Sequence, residues 1–329
     1  MEKFKKVRNV FVLPDKHIFC MKTNLTLDSA YDGLHLSVMV VSPEKKPEAV
    51  IQLSHGMCGC KERYIPFMDY MAEHGVACVA CDHRGHGASV KSADDLGYMY
   101  SGGYTALVED MKLVSDWTHR TFPDVPLVLL GHSMGSMAAR LYAKKYDSSI
   151  SGLIVCGSPG YTVLAPLGKF LTGLLCLFND GRMRPTFIQE MTSARYNRRF
   201  SSEGRLAWVC SDPDVRKEMM ENPLCNYSFT ANGMHNLMSM MVETYSPGGW
   251  KVSNPDLPVA FLSGEDDACM LGETGLHRAA AQMYGAGYHN VTAALFSNMR
   301  HEILNEVDRK VVWDDVLDFI RDNCLIRSH

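Results

Sequence analysis

The run Val125-Pro126-Leu127-Val128-Leu129-Leu130-Gly131-His132-Ser133-Met134-Gly135-Ser136-Met137-Ala138-Ala139-Arg140 decides how the chain folds. An apolar run leads into a five-residue turn, and a helical pattern starts directly behind it. A chain that reverses so sharply between strand and helix pushes the hydroxyl of Ser133 clear of its surroundings. It leaves no room for side chains two positions away on either side, and residues 131 and 135 are both glycine. This is the G-x-S-x-G pattern of a nucleophile elbow, in the strand-then-helix context that the pattern requires.

On either side of the elbow, short apolar runs recur at Ala49 to Leu53, Val76 to Cys81, Ile150 to Cys156, Val259 to Leu262 and Val291 to Phe296. Strands covered on both faces in a parallel sheet read this way. Helical spacing fills the gaps at Tyr64 to His74, Tyr104 to Arg120 and Ser136 to Tyr146, and Val311 to Asn323 closes the chain. The alternation predicts an α/β fold built on a mostly parallel, doubly wound sheet. His17 to Leu27 and Leu34 to Val41 read as a strand pair at one edge, turning at Asp32-Gly33.

The interval from Cys156 to Val259 is far longer than one helical crossover needs. It carries two apolar stripes at helical spacing: Leu167, Phe170, Leu171, Leu174, Leu175 and Phe178, then Met234, Leu237, Met238 and Met241. The expected organisation is a core in two parts, 1–159 and 251–329, with a helical cap inserted at 160–250. The stripes would glue the cap to the core, and methionine-rich faces would also make an adaptable lining for an acyl chain. They leave room for transient contact of the cap with a membrane surface.

A serine hydroxyl near neutral pH needs a base to take its proton and an acid to orient that base. In this strand order the acid follows a late strand and the histidine follows the last one. Glu265, Asp266 and Asp267 stand behind Val259 to Leu262, and spacing alone does not choose among them. His301 stands behind Val291 to Phe296, whereas His289 precedes that strand and falls at the opposite edge. The expected pH dependence is that of an unprotonated histidine base, with an acid limb at about 6 to 7. Two backbone donors for a developing oxyanion are expected at Met134, directly after the serine, and at Met57, in the loop His55-Gly56-Met57-Cys58-Gly59. Cys58 and Cys60 read as small fillers close enough to the site to be targets for thiol reagents.

Composition narrows the field further. A net charge of −4 over 329 residues gives no electrostatic reason to expect nucleic acid, and Lys3, Lys5, Lys6 and Arg8 read as a solvated tail. No stretch approaches membrane-spanning length and no signal-like apolar segment stands near the start, so the expected compartment is cytoplasmic. Eleven scattered cysteines fit reduced thiols, and the pairs Cys58/Cys60 and Cys78/Cys81 lack a partner pair at zinc-site spacing. Gly85-x-Gly87 is followed by Val90 where a dinucleotide loop needs glycine, and His301-Glu302 does not continue as a two-histidine zinc helix. No cofactor and no metal are expected, and no pattern specifies an oligomeric state.

His55-Gly56, Glu62-Arg63-Tyr64, Cys81-Asp82-His83-Arg84-Gly85-His86-Gly87-Ala88-Ser89, the elbow, Gly264-Glu265-Asp266-Asp267 and Arg300-His301-Glu302 together resemble one branch of the α/β-hydrolases. That branch is the serine aminopeptidase-like group of monoacylglycerol lipases and lysophospholipases, and the likeness runs over about residues 30 to 325. It implies the α/β-hydrolase fold, with Ser133 as nucleophile, His301 as base, Asp267 as acid, and Asp82 to Gly87 as a structural strand-end turn. It further implies hydrolysis of small-molecule acyl esters, of monoacylglycerol or lysophospholipid type, through an acyl-enzyme. Three other uses of the same fold compete: a short-chain carboxylesterase, an aminopeptidase, or a ligand sensor without turnover. The peptidase needs an acidic anchor in the cap, for which Glu190, Glu203 and Glu221 are available.

Overall fold

The computed structural model describes residues 20–325; the basic cluster Lys3 to Arg8 and the strand residues expected from His17 to Phe19 lie outside the described residues. Eight strands form one sheet: β1 (Cys20–Asp28), β2 (His35–Pro43), β3 (Ala49–Ser54), β4 (Val76–Cys81), β5 (Leu127–His132), β6 (Gly152–Cys156), β7 (Val259–Gly264) and β8 (Val291–Phe296). Their order is β1-β2-β4-β3-β5-β6-β7-β8. β2 pairs antiparallel with both β1 and β4 at one edge, and every pairing from β4 across to β8 is parallel.

The alternation of strand side chains divides the core into two layers. Leu127 and Leu129 of β5 face a layer formed with helices α2 (Gly103–Thr121) and α3 (Met134–Tyr146), while Val128 and Leu130 face α1 (Ile65–Glu73). Because both faces are covered, every residue of β3, β4 and β5 is buried, which is why these strands read as unbroken apolar runs. Further along the chain, α8 (Glu273–Ala286) joins the α3 side and α9 (Arg309–Asn323) the α1 side.

Between β6 and β7 lie α4 (Ala165–Leu175), α5 (Thr186–Asn197), α6 (Pro213–Glu221) and α7 (Ala231–Thr244). The expected burial of the first apolar stripe is corrected here. Leu167, Phe170 and Leu174 are 54%, 62% and 43% exposed, whereas Ala165 and Thr172 of the same helix are buried. A side chain built at Gly168 would press on the Met238 sulfur, so small residues let α4 lie close on α7 and turn its large ones outward. The second stripe does pack inward, with Met234 and Met241 in the core.

The order of the strands reverses where β3 and β5 lie side by side, and β3–β5 register pairs Ser54 with Gly131. Loops leaving the carboxyl ends of neighbouring strands diverge at such a switch point and open a crevice. The loops after β3, β5 and β7 all leave this edge.

Candidate active site

Ser133 joins β5 to α3 with φ 55° and ψ −119°, a conformation that non-glycine residues rarely adopt. A Cβ at Gly131 would collide with the Gly135 carbonyl, and one at Gly135 would collide with the Ser54 carbonyl, so the two glycines are required by backbone packing. The half-buried Ser133 hydroxyl lies 2.8 Å from His301 Nε2. On the other side of the ring, His301 Nδ1 lies 3.0 Å from Asp267 Oδ2. With the Nδ1 proton directed at the carboxylate, Nε2 is left as the acceptor of the serine proton.

Asp267 is itself fixed. Its Oδ1 accepts the Cys269 N–H at 2.8 Å and its Oδ2 accepts the Ser263 hydroxyl at 3.1 Å. Of the three adjacent acids it alone reaches the imidazole, since Glu265 is exposed and Asp266 pairs with Arg199 at 2.6 Å. Burial pulls the Asp267 carboxyl up, but the imidazole charge and three hydrogen-bond donors outweigh it and hold the pKa below the ordinary carboxylate value. For His301, burial depresses the imidazole, and the Asp267 carboxylate more than reverses this, leaving the pKa above the ordinary histidine value.

The sign of that shift fixes a pH dependence. Acting as a base, His301 would work only when neutral, so kcat/KM should fall as pH drops through a pKa displaced upward from about 6.5. A profile measured on a soluble ester should show its acid limb on the high side of that value. A rate flat down to pH 5 would show that His301 is not the base.

Met134 directly follows the serine at the first turn of α3, and Met57 follows Gly56, whose backbone approaches Ser133 so closely that a Cβ there would lie 3.1 Å from the Ser133 Cβ. Neither backbone N–H has a hydrogen-bond acceptor among the described residues, so both donors are free for an incoming oxygen. Among these residues no cluster of three or more His, Cys, Asp or Glu side chains is placed to hold a metal ion.

Several residues that shape the site carry no role in the reading of the sequence. His132 Nε2 donates to the His301 carbonyl at 3.1 Å and holds the histidine loop against the elbow; burial, then the neighbouring His301, depresses its pKa to about 4, so it stays neutral. Arg63 grips Glu302 with two contacts of 2.5 Å, tying the segment after the Met57 loop to the residue behind His301. Burial raises the Glu302 carboxyl, and Arg63 overrides it to bring the pKa to about 2. From the interval between β6 and β7, Trp208 lies over His301 with ring centroids 5.2 Å apart, and Arg300 donates to the Ala207 carbonyl and pairs with Glu203. The signal that could have found this anchoring is the charged residue on each side of His301, Arg300 and Glu302, but the partners that anchor them are too distant in sequence to name.

Residues 45–308 match the family described as serine aminopeptidase, S33. The chain belongs to this family of α/β-hydrolases. The monoacylglycerol lipase of Mycolicibacterium smegmatis is 22% identical over 288 residues, which span 88% of this chain and 93% of that protein. The monoglyceride lipase of Mus musculus is 32% identical over a shorter match of 127 residues, 38% of this chain and 39% of the other. Among solved structures, a thermostable carboxyl esterase from Bacillus coagulans superimposes with a TM-score of 0.84 at 24% identity, covering 92% of this chain and 99% of that one. That superposition bears out the α/β-hydrolase fold expected of this hydrolase. No helix of the described residues is long and apolar enough to cross a membrane.

Proposed function

We propose that this hydrolase is a serine carboxylic-ester hydrolase that cleaves single-chain acyl esters, of monoacylglycerol or lysophospholipid type, through an acyl-enzyme. The observation that carries the proposal is the continuous relay from Ser133 through His301 to Asp267 beside two unengaged amides. Ser133 Oγ attacks the ester carbonyl while His301 Nε2 takes its proton, and Asp267 stabilises the imidazolium. The Met57 and Met134 amides receive the negative oxygen. Collapse returns the proton from His301 to the departing alcohol, and water repeats the sequence to release the acid.

The substrate class rests on two supports. One is the name of the Mycolicibacterium relative, monoacylglycerol lipase, matched over nearly its whole length. The other is the outer face of residues 160–250, taken as the cap, where Val163, Leu167, Phe170, Leu177 and Phe187 stand exposed. The segment from Tyr161 to Arg205 carries seven Lys or Arg residues against three Asp or Glu, although the whole chain is net negative. Exposed apolar side chains on a segment of basic composition suit transient contact with anionic lipid, from which a single-chain ester could be drawn.

The aminopeptidase reading has less support. Of the three acids available to anchor an amino group, Glu203 is engaged by Arg300 and Arg216, while Glu190 and Glu221 are exposed. An ester panel of graded acyl length, with glycerol, phosphocholine and aminoacyl leaving groups, tests the choice. Lengthening the chain from two to eight carbons should raise kcat/KM, each buried methylene contributing up to about 0.8 kcal/mol. Preference for acetyl esters or aminoacyl amides would overturn the lipid assignment.

The outward stripe makes a separate prediction. Phe170→Asp combined with Leu174→Asp should lower turnover of a monoacylglycerol dispersed in anionic vesicles by about tenfold or more, and leave a soluble short-chain ester nearly unchanged. Equal losses on both substrates would assign these side chains to the stability of the fold.

A further inference from the structure

Three thiols with no part in the catalytic relay meet beside the Met57 loop. Cys58 sits within that loop and Cys60 at its end, and Cys225 lies on the segment joining α6 to α7. Cys58 directs its Sγ at the Tyr227 carbonyl, 3.3 Å away. Cys60 faces Cys225 instead, with the two sulfurs 4.0 Å apart. Both are buried, but Cys225 keeps 7% of its surface open while Cys60 is fully sealed. The contact with Cys60, joined by the Arg63 guanidinium, outweighs burial and holds the Cys225 thiol below its ordinary pKa. Burial pushes the Cys58 thiol well up.

We propose that Cys60 and Cys225 form a reversible disulfide when the protein meets a hydroperoxide, and that this bond turns the enzyme down by tethering the Met57 loop to the cap. The Cys225 thiolate attacks one peroxide oxygen and breaks the O–O bond, giving a sulfenic acid and a hydroxide that takes up the thiol proton to leave as water. The Cys60 sulfur then attacks the Cys225 sulfur and loses its own proton, and the sulfenic hydroxyl departs as a second water. Two thiols and one hydrogen peroxide thus give one disulfide and two waters.

Closing the bond brings the sulfurs from 4.0 Å to about 2.05 Å. That displacement must be shared between the cap segment and the loop that ends at Cys60, three residues from Met57. A misplacement of about 1 Å at a catalytic group can cost up to about 10²-fold in rate. This effect on turnover rests on the reading of the Met57 amide as an oxyanion donor; the disulfide itself does not.

The test treats the full-length, fully reduced protein with hydrogen peroxide, then maps it by mass spectrometry without reductant and assays a soluble short-chain ester. The expected result is a peptide joining Cys60 to Cys225, two hydrogens lighter than its parts, that appears in step with a fall in turnover of about tenfold or more. Dithiothreitol should reverse both, and Cys225→Ser should keep its starting turnover through the same treatment. The proposal is overturned if Cys60 and Cys225 remain reduced, if Cys58 is the residue joined to Cys225, or if the bond forms with turnover unchanged. It is equally overturned if Cys225→Ser loses turnover to the same extent as the unaltered protein. A reduced protein without ester turnover would count against the hydrolase reading, and the mapped peptide alone would then decide whether the disulfide forms.

Discussion

Ser133→Ala should lower ester turnover by on the order of 10³ or more. In the proposed mechanism the Ser133 hydroxyl forms the acyl bond, and His301 Nε2 lies 2.8 Å from it. The size of the loss follows from the relay acting as a unit, so that removing one member leaves only what the oxyanion donors and binding supply. Folding should be unaffected, because alanine adopts φ 55° no less readily than serine and the glycines on either side are untouched. Comparing kcat/KM with the thermal unfolding midpoint separates the two effects: activity should vanish while the midpoint stays in place. Full activity in this variant would remove the triad altogether.

Asp267→Asn should be nearly as damaging, with a loss on the order of 10³ to 10⁴, because an amide in place of the carboxylate favours the wrong imidazole tautomer and no longer stabilises the cation. Asp266→Asn should stay within about fivefold of the unaltered enzyme. Its partner, Arg199, is largely exposed, and a pair of that kind contributes about 1 kcal/mol or less. Paired measurements of kcat/KM decide the matter, and a reversed ranking would move the acid by one residue.

The contrast between these two neighbours shows how far the residues alone could be read. The elbow was legible because everything it needs, strand, turn and helix, lies within one short stretch around Ser133. His301 was legible from its place behind the last strand. Among Glu265, Asp266 and Asp267 local spacing is silent. What brings Asp267, rather than its neighbours, to the His301 imidazole is a hydroxyl on β7, a backbone N–H two residues on, and the pairing of Asp266 with Arg199. His132 and Trp208 escaped for the same reason, as their effect on His301 depends on contacts across the fold. Helical period in α4 correctly grouped Leu167, Phe170, Leu171 and Leu174 on one face. It could not say what that face meets. Ala165, Gly168 and Thr172, small enough for close approach to α7, decided that the large side chains point outward.

The most direct test of Ser133 as nucleophile is to react the enzyme with a long-chain fluorophosphonate and locate the adduct by peptide mapping. The expected result is one adduct per chain on the peptide containing Gly131-His132-Ser133-Met134-Gly135, absent from Ser133→Ala and accompanied by complete loss of ester turnover. An adduct on any other residue, or turnover that survives full modification of Ser133, would contradict it.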